Sequence, residues 1–565
     1  MPYIDKPAAL MLAQALAAYE ITDVFVSPGS RNAPLIAALS RMPGLKVSAI
    51  VDERSAAFIA MGNALVSGKP AVLVCTSGSA LLNYAPAVAE AFYRKVPLIV
   101  VSADRPPQWI GQDDGQTIRQ PGALANVVKG SFNLRGEFLH RDDLWNCNRL
   151  LNEALQLATS GRLGPVHINV SLDEPLFSDS DSEAPAFRKV ELVAPAPVVE
   201  NEMARELAKI AIDRNVLIVG GFNAPSNRLS RAISRLAALP SVVVAADALT
   251  NLRGAVQMVN VNRVTRSKFL RKREKSHPDL LITFGGSLIS RDFKEYLRDM
   301  PFAEHWHIGE NDSLIDSYFS LTRRVEIAPE GFFPRFAGAM EHFHRVNCGI
   351  PRAGRNPAAA GEASLYKSLW YEADYDAEEI AAPNPQDGFD EKAAIFKILK
   401  ALPKQWNLQL SNGLTPRYAL LAPGASAFHR CDCNRGVSGI DGSVSTALGA
   451  SLPFSGTTVL ITGDMSMQYD IAALSSALLS PRLKIVVINN GGGGIFRKIS
   501  ATRSLIETEQ YLTGDIRLPL KELAAGYGLE YFRADSLAAL SQALTGFVGE
   551  QRRPAILEVV CGSTE

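Results

Sequence analysis

The chain has 565 residues, 47% hydrophobic and 21% charged, the make-up of a well-packed globular protein with room for about three or four domains of ~150 residues. Its 58 Lys and Arg balance 58 Asp and Glu, so no net field favours nucleic acid or anionic lipid, and an anionic substrate has to be met by basic residues gathered locally. No apolar run approaches the ~20 residues of a membrane helix, Pro7–Tyr19 lacks a basic leader and a cleavage pattern, and six scattered cysteines form no disulfide framework, so a cytoplasmic protein is expected.

Asp23–Val26 reads as a strand that breaks at Ser27-Pro28-Gly29-Ser30 before a helix. Next come a strand at Lys46–Val51, a helix from Glu53 to about Val66, a strand at Ala71–Cys75, a helix near Leu81–Tyr93 and a strand at Leu98–Ser102. Short β-rich runs with helical patterns between them predict a parallel sheet covered on both faces. Pro165–Val170 closes this domain, residues 1–180, and Ser178–Pro197, rich in Ser, Asp, Pro and Ala, reads as a linker. A second alternation over 199–350 has strands at Asn215–Gly221, Ser241–Ala246 and Leu280–Gly286 and ends near Arg324–Ala328. Pro351–Glu362 and Ala381–Gly388 flank a third boundary. Beyond it, residues 385–565 alternate again, with strands at Asn407–Leu410, Thr458–Thr462, Lys484–Asn489 and Ile556–Val560. The expectation is three α/β domains, the first and third on one plan, with no solenoid repeat.

The third domain carries the strongest chemical signal. Its strand at Val459–Thr462 runs into Gly463-Asp464-Met465-Ser466 and a helix expected to reach about Leu479; the next strand ends at Asn489-Asn490-Gly491-Gly492. A right-handed βαβ crossover places Asp464 and Asn490 together on the ligand-binding edge of the sheet. Mg²⁺ takes oxygen ligands in near-octahedral geometry and shares them with phosphates; the Asp464 carboxylate, the Asn490 amide oxygen and a glycine-loop carbonyl supply three. This spacing resembles the metal and diphosphate signature of the thiamine-diphosphate-dependent enzymes. The resemblance implies that Asp464, Asn490 and the Gly492 carbonyl hold Mg²⁺, or Mn²⁺, and that Gly463, Met465, Ser466 and Ile495 complete the diphosphate site. The family usually has Gly where this chain has Met465.

A second segment, Val51-Asp52-Glu53-Arg54-Ser55-Ala56-Ala57 continuing through Phe58, Ala60 and Gly62, resembles the family's stretch around its activating glutamate. Such a carboxyl protonates N1′ of the aminopyrimidine, which calls for an apolar pocket that favours a shared or retained proton. Glu53 is therefore the expected catalytic acid; a glutamate at a helix start also complements the helix dipole.

Three further segments narrow the resemblance to the family branch that acts in menaquinone synthesis. They are Ser27-Pro28-Gly29-Ser30-Arg31-Asn32-Ala33-Pro34, Ser102-Ala103-Asp104-Arg105-Pro106-Pro107 with Gln116-Thr117-Ile118-Arg119-Gln120, and Asn434-Arg435-Gly436-Val437-Ser438-Gly439-Ile440-Asp441-Gly442. An Arg after a strand-to-helix turn offers a guanidinium and backbone N–H groups to a carboxylate. The resemblance implies decarboxylation of 2-oxoglutarate and 1,4-addition of the succinyl-semialdehyde unit to isochorismate. It assigns Ser30, Arg31, Arg105 and Gln116 to isochorismate, with Gln116 also catalytic. Arg417 and Arg435 fall to the succinyl carboxylate, Ile495 and Phe496 to the substrate wall, and Ile440 to propping the cofactor. It implies an aminopyrimidine-binding first domain, a diphosphate-binding third domain, and a homodimer or homotetramer. Two departures stand out: Gly413 where relatives often have Ser, and Arg291-Asp292 where relatives tend to have two basic residues, so that Arg291 is assigned one isochorismate contact and Asp292 cannot supply the other. Alternative readings are another thiamine-diphosphate decarboxylase or synthase acting on a 2-oxo acid, or a cofactor-binding subunit without activity.

Three other features are read as structural. Cys431-Asp432-Cys433 near His429 lacks a second ligand pair for zinc. Arg263–Lys275, with seven Lys and Arg, reads as a solvated helix face. Gly491–Gly494 lacks the G-x-G-x-x-G pattern of a dinucleotide loop.

Overall fold

The alternation folds into three six-stranded sheets. The computed structural model describes residues 3–562 except 177–178, 181–184, 194–196, 255, 272–275, 311–312, 350–356, 385, 387, 515 and 517. The first sheet contains β1 (Asp23–Val26), β2 (Lys46–Ala49), β3 (Ala71–Cys75), β4 (Leu98–Asp104), β5 (Ser131–Arg135) and β6 (Val166–Ser171), in the order β2-β1-β3-β4-β6-β5. The central sheet contains β7 (Val216–Gly220), β8 (Val242–Ala246), β9 (Val259–Asn260), β10 (Leu280–Phe284), β11 (Glu304–Ile308) and β12 (Arg323–Val325), ordered β9-β8-β7-β10-β11-β12. The third contains β13 (Asn407–Leu410), β14 (Arg430–Cys433), β15 (Thr458–Gly463), β16 (Leu483–Asn489), β17 (Glu530–Ala534) and β18 (Ala555–Val560), ordered β14-β13-β15-β16-β18-β17. All pairings within these sheets are parallel, with registers such as Leu460↔Ile485 and Gly463↔Ile488. The first and third sheets share one strand order, as the sequence led us to expect. The central sheet has the doubly wound order of nucleotide-binding folds. Strands such as Ala71–Cys75 and Leu98–Asp104 are buried at every position, which is why they read as continuous apolar runs.

Several boundaries differ from the sequence reading. The helix near Leu81–Tyr93 is two helices, Ser79–Asn83 and Ala85–Arg94, because Pro86 cannot donate to the preceding turn and opens a new helix. The single crossover helix expected after Asp464 is instead a short α-helix, Asp464–Tyr469, followed by a 3₁₀ turn, Ile471–Ser475. Between them Asp470 is fully buried and accepts Ser445 N (2.6 Å) and Ser445 Oγ (2.8 Å), drawing the chain off the helical path. The expected linker is fastened to the first domain where it is described. Gln14 Oε1 accepts Phe187 N, Asn148 Oδ1 accepts Arg188 N, and Asn152 Oδ1 accepts Val190 N, each at 2.7 Å. The basic run does not form one solvated face, although 272–275 lie outside the described residues. Arg263 is 9% exposed and grips Asp374 through two 2.9 Å bonds.

The first and third domains share one hydrophobic core, in which Phe58, Ile59 and Met61 meet Val444, Leu448 and Met467. Helix α1 (Glu53–Ser67) and a helix of the third domain, Ser443–Ser451, touch backbone to backbone. A Cβ on Gly62 would lie 2.1 Å from the Thr446 carbonyl oxygen, and one on Gly449 would lie 1.9 Å from that of Ile59. Overpacking a core of this kind costs ~1–3 kcal/mol or more. Gly449→Ala is accordingly expected to lower the thermal midpoint by several degrees, measured by calorimetry. An unchanged midpoint would show that the two helices separate freely.

Candidate active site

Asp464 directly follows β15 and is 2% exposed. Its Oδ1 accepts Met465 N at 2.7 Å, and Oδ2 accepts Gly491 N and Gly492 N at 2.9 Å each. One carboxylate thus gathers the ends of the neighbouring strands β15 and β16. Burial raises its pKa above the usual carboxylate value, with the backbone donors opposing. Asn490 donates Nδ2 to Glu391 Oε2 at 3.3 Å, and its Oδ1 is buried with no hydrogen-bond partner. Gly492 has φ +144°, and a Cβ there would lie 2.6 Å from Thr513 O. A Cβ on Gly463 or Gly491 would meet nothing within 4 Å, so the strand ends face open space. Ile495 and Phe496 begin the helix just beyond this loop.

The segment 434–442, bearing Arg435 and Ile440, is held from three sides. Ser466 Oγ donates to Ile440 O at 2.6 Å. Asn412 Nδ2 donates to Asn434 O and Gly439 O at 2.6 Å, while its Oδ1 accepts Arg435 Nη1 at 3.0 Å. Glu90, 1% exposed in the first domain, accepts Gly436 N and Val437 N at 2.7 Å. The preceding strand is locked by Asp432, 1% exposed, which pairs with Arg94 at 2.7 Å and with Arg430. Cys433 turns its thiol toward Asn412 Oδ1 (3.3 Å), and burial pushes it up to about 12. Gly413 has φ +99°, a conformation that costs serine but not glycine.

In the first domain Glu53 opens α1, with Asp52 as N-cap accepting Ser55 N at 2.8 Å. Glu53 is half-buried, not enclosed in the apolar pocket its expected role requires. Its charge acts on Cys75 and Tyr84, whereas that of Asp464 acts on Glu391 and Cys561. Arg54 reaches the far end of the helix that Asp464 opens, donating to Tyr469 O at 2.7 Å.

Arg31 and Arg105 lie within reach of each other's charge. Arg31, 5% exposed, binds Leu172 O (3.0 Å) and Glu174 (3.1 Å); Arg105 pairs with Asp114 at 3.3 Å, and its Nε has no partner. Ser30 and Gln116 are exposed, Gln116 with φ +58°. Beneath Arg105 lies a buried ladder that the sequence reading missed. Gln120 Nε2 and Ser102 Oγ both donate to Asn169 Oδ1, and Asn169 Nδ2 donates to Asp104 Oδ2. A cavity of about 820 Å³ adjoins Arg105 and Asn169. Another of about 560 Å³, at the carboxyl ends of β7, β10 and β11, includes Arg435 alone among the predicted residues.

Arg417 and Arg435 also lie within range of each other's charge. Arg291 is exposed and pairs with Glu295 at 2.7 Å. One turn further along, Lys294 lies near Arg435 and Arg417; burial first, then these cations, lower its pKa. Among the predicted residues, then, the structure gathers Asp464, Asn490 and Gly492; Ser466 with Ile440; Arg31 with Arg105; and Arg417 with Arg435.

Residues 7–123 match the family model described as "Thiamine pyrophosphate enzyme, N-terminal TPP binding domain", and 423–559 match its C-terminal counterpart. The chain is similar to a 2-succinyl-5-enolpyruvyl-6-hydroxy-3-cyclohexene-1-carboxylate synthase of Porphyromonas gingivalis, 39% identical over 99% of this chain and 95% of the relative. The chain belongs to this synthase family. It is also 36% identical to the synthase of Bacteroides thetaiotaomicron over 99% of this chain and 96% of the relative, and 34% identical to that of Cytophaga hutchinsonii over 96% and 94%.

The residues present fit the synthase family's cofactor: the unpartnered Asn490 oxygen and the Asp464 carboxylate form an oxygen donor set. Among the described residues no helix is long and apolar enough to cross a membrane.

Burial alone would raise the Asp432 carboxyl, but Arg430 and Arg94 outweigh it and hold the pKa below the ordinary value. A depressed folded-state pKa adds stability that is complete above the unfolded value of about 3.9 and is lost as pH falls through the folded one. Removing one partner of a buried pair costs ~3–5 kcal/mol. Asp432→Asn should therefore lie well below the parent in a denaturant titration at pH 7, with the gap closing below about pH 4. A constant gap down to pH 3 would rule out the ion pair as its source.

Proposed function

We propose that this chain catalyses the thiamine-diphosphate-dependent decarboxylation of 2-oxoglutarate and the 1,4-addition of the succinyl-semialdehyde unit to isochorismate. The products are 2-succinyl-5-enolpyruvyl-6-hydroxy-3-cyclohexene-1-carboxylate and CO₂, in menaquinone biosynthesis. The end-to-end similarity to the synthases carries this reading. When bound, thiamine diphosphate would supply a nucleophilic carbon and an electron sink, so that CO₂ can leave the 2-oxo acid and the former carbonyl carbon can add to the acceptor. Asp464, Asn490 and the Gly492 carbonyl hold Mg²⁺, or Mn²⁺, against the diphosphate, with Gly463, Met465, Ser466 and Ile495 around it. Glu53 would hold the proton at N1′ of the aminopyrimidine, and Ile440 would prop the cofactor.

Substrate selection follows charge. Isochorismate and 2-oxoglutarate each bring two carboxylates to a chain without net charge. Arg31 and Arg105, with Ser30 and Gln116, serve isochorismate; Arg417 and Arg435 serve the succinyl carboxylate, with Ile495 and Phe496 as wall. Arg291, already paired on the surface, is the weakest of these assignments. Incubation with Mg²⁺, thiamine diphosphate, 2-oxoglutarate and isochorismate is expected to consume isochorismate absorbance. Turnover with pyruvate instead of 2-oxoglutarate would indicate a different 2-oxo acid enzyme. Glu53→Gln is expected to lower the rate ~10²-fold or more, the scale of a lost proton-transfer group, with the circular dichroism spectrum unchanged. A wild-type rate would reject the role.

The working form is proposed to be a homodimer, or a homotetramer made of two such dimers, with each site shared between the first domain of one subunit and the third of another. That Glu53 stands in the first domain and Asp464 in the third, while both are assigned to one cofactor, supports this. Mixing inactive Glu53→Gln with inactive Asp464→Ala is expected to restore activity, because one of the two sites in a mixed dimer keeps both residues. Subunit exchange proved by mass spectrometry without recovered activity would place the site within one chain.

A further inference from the structure

The Asn490 side chain has two chemically opposite ends. Only Oδ1 can serve a cation, whereas the Nδ2 protons repel it. Rotation by half a turn exchanges the two, so something has to fix the orientation before metal arrives. In this chain Nδ2 donates to Glu391 Oε2 at 3.3 Å, and Oδ1 is buried with no partner of its own. With Glu391 ionised, the flipped amide would set a carbonyl oxygen against a carboxylate, an arrangement in which neither group donates. Glu391 is 7% exposed and opens helix α2 (Glu391–Ala401). Its own position is set by the N-cap Asp390, whose Oδ1 accepts Ala393 N at 2.7 Å. A Cβ at residue 494 would lie 2.8 Å from Asn490 Nδ2, so Gly494 leaves the amide the room to take this orientation.

We propose that Glu391 is a positioning residue for the metal site: by accepting Nδ2 it points Oδ1 of Asn490 at the cation beside Asp464. The proposal rests on the reading of Asp464 and Asn490 as metal ligands. Glu391 does not itself ligate; it acts through Asn490, as the outer partners of metal ligands do, and loss of such partners typically lowers metal affinity ~10–100-fold.

The test uses Mn²⁺ with thiamine diphosphate present, free Mn²⁺ being read by electron paramagnetic resonance, in a double-mutant cycle. Glu391→Leu is expected to weaken Mn²⁺ binding ~10–100-fold in the chain with Asn490. In an Asn490→Asp background the two ligand oxygens are equivalent and orientation is irrelevant, so Glu391→Leu should cost less than ~3-fold there. Equal loss in both backgrounds, including loss from a helix that fails to form, overturns the proposal, as does wild-type affinity in the single variant. Asp464→Ala is measured alongside. Undiminished Mn²⁺ binding in that variant overturns the metal-site reading and this inference with it, whereas a silent Glu391→Leu beside a dead Asp464→Ala overturns this inference alone.

Discussion

Asp432 is a carboxylate with no access to water that receives two guanidiniums. Arg430 comes from its own strand, while Arg94 comes from the first domain and also lies over the Phe222 ring of the central domain, 4.8 Å from its centroid. Arg430 in turn donates to Leu65 O at the end of α1. Three domains are therefore indexed to one buried charge. Burying ions is expensive, and an apolar substitute of the same shape is often as stable. What an ion pair adds here is direction. It fixes where β14 ends, and the next residues are the segment that carries Arg435 and Ile440. Glu90 extends the same arrangement by holding Gly436 and Val437 from the first domain.

The shared strand order of the outer sheets explains how their domains meet. α1 connects β2 to β3, and Ser443–Ser451 connects β14 to β15; these are equivalent positions in the two sheets. Like therefore packs on like, and each helix gives up a side chain where the other's carbonyl approaches, Gly62 beneath Thr446 and Gly449 beneath Ile59. The same plan carries different chemistry in its two copies: a carboxyl on the helix after the second strand in one, a carboxyl after the third strand in the other.

Much of this was legible in the sequence because it is local. Strands buried on both faces declare themselves as apolar runs, and Asp464 with Asn490 stands at a recognisable spacing. The strands that escaped notice were mostly edges. Ser131–Arg135 buries alternate residues only, and Val259–Asn260 is two residues long; such short or half-polar runs resemble loops. The supporting side chains were illegible for another reason. Glu391 meets Asn490 across 99 residues of sequence, and Glu90 meets Gly436 across 346. No motif spacing links positions joined only by tertiary packing. Lys294 was hidden because sequence comparison looks at Arg291 and Asp292, whereas the helical period brings the next turn toward Arg435.

The packing of α1 on its third-domain counterpart also sets a schedule. About 380 residues separate the end of one helix from the start of the other. At ~5–20 residues per second on the ribosome, the first helix waits about 20–80 s for its partner. Throughout that interval the face of the helix that Val444, Leu448 and Met467 cover in the finished fold has only first-domain residues beside it, so the nascent chain presents an apolar face to chaperones and to misassociation.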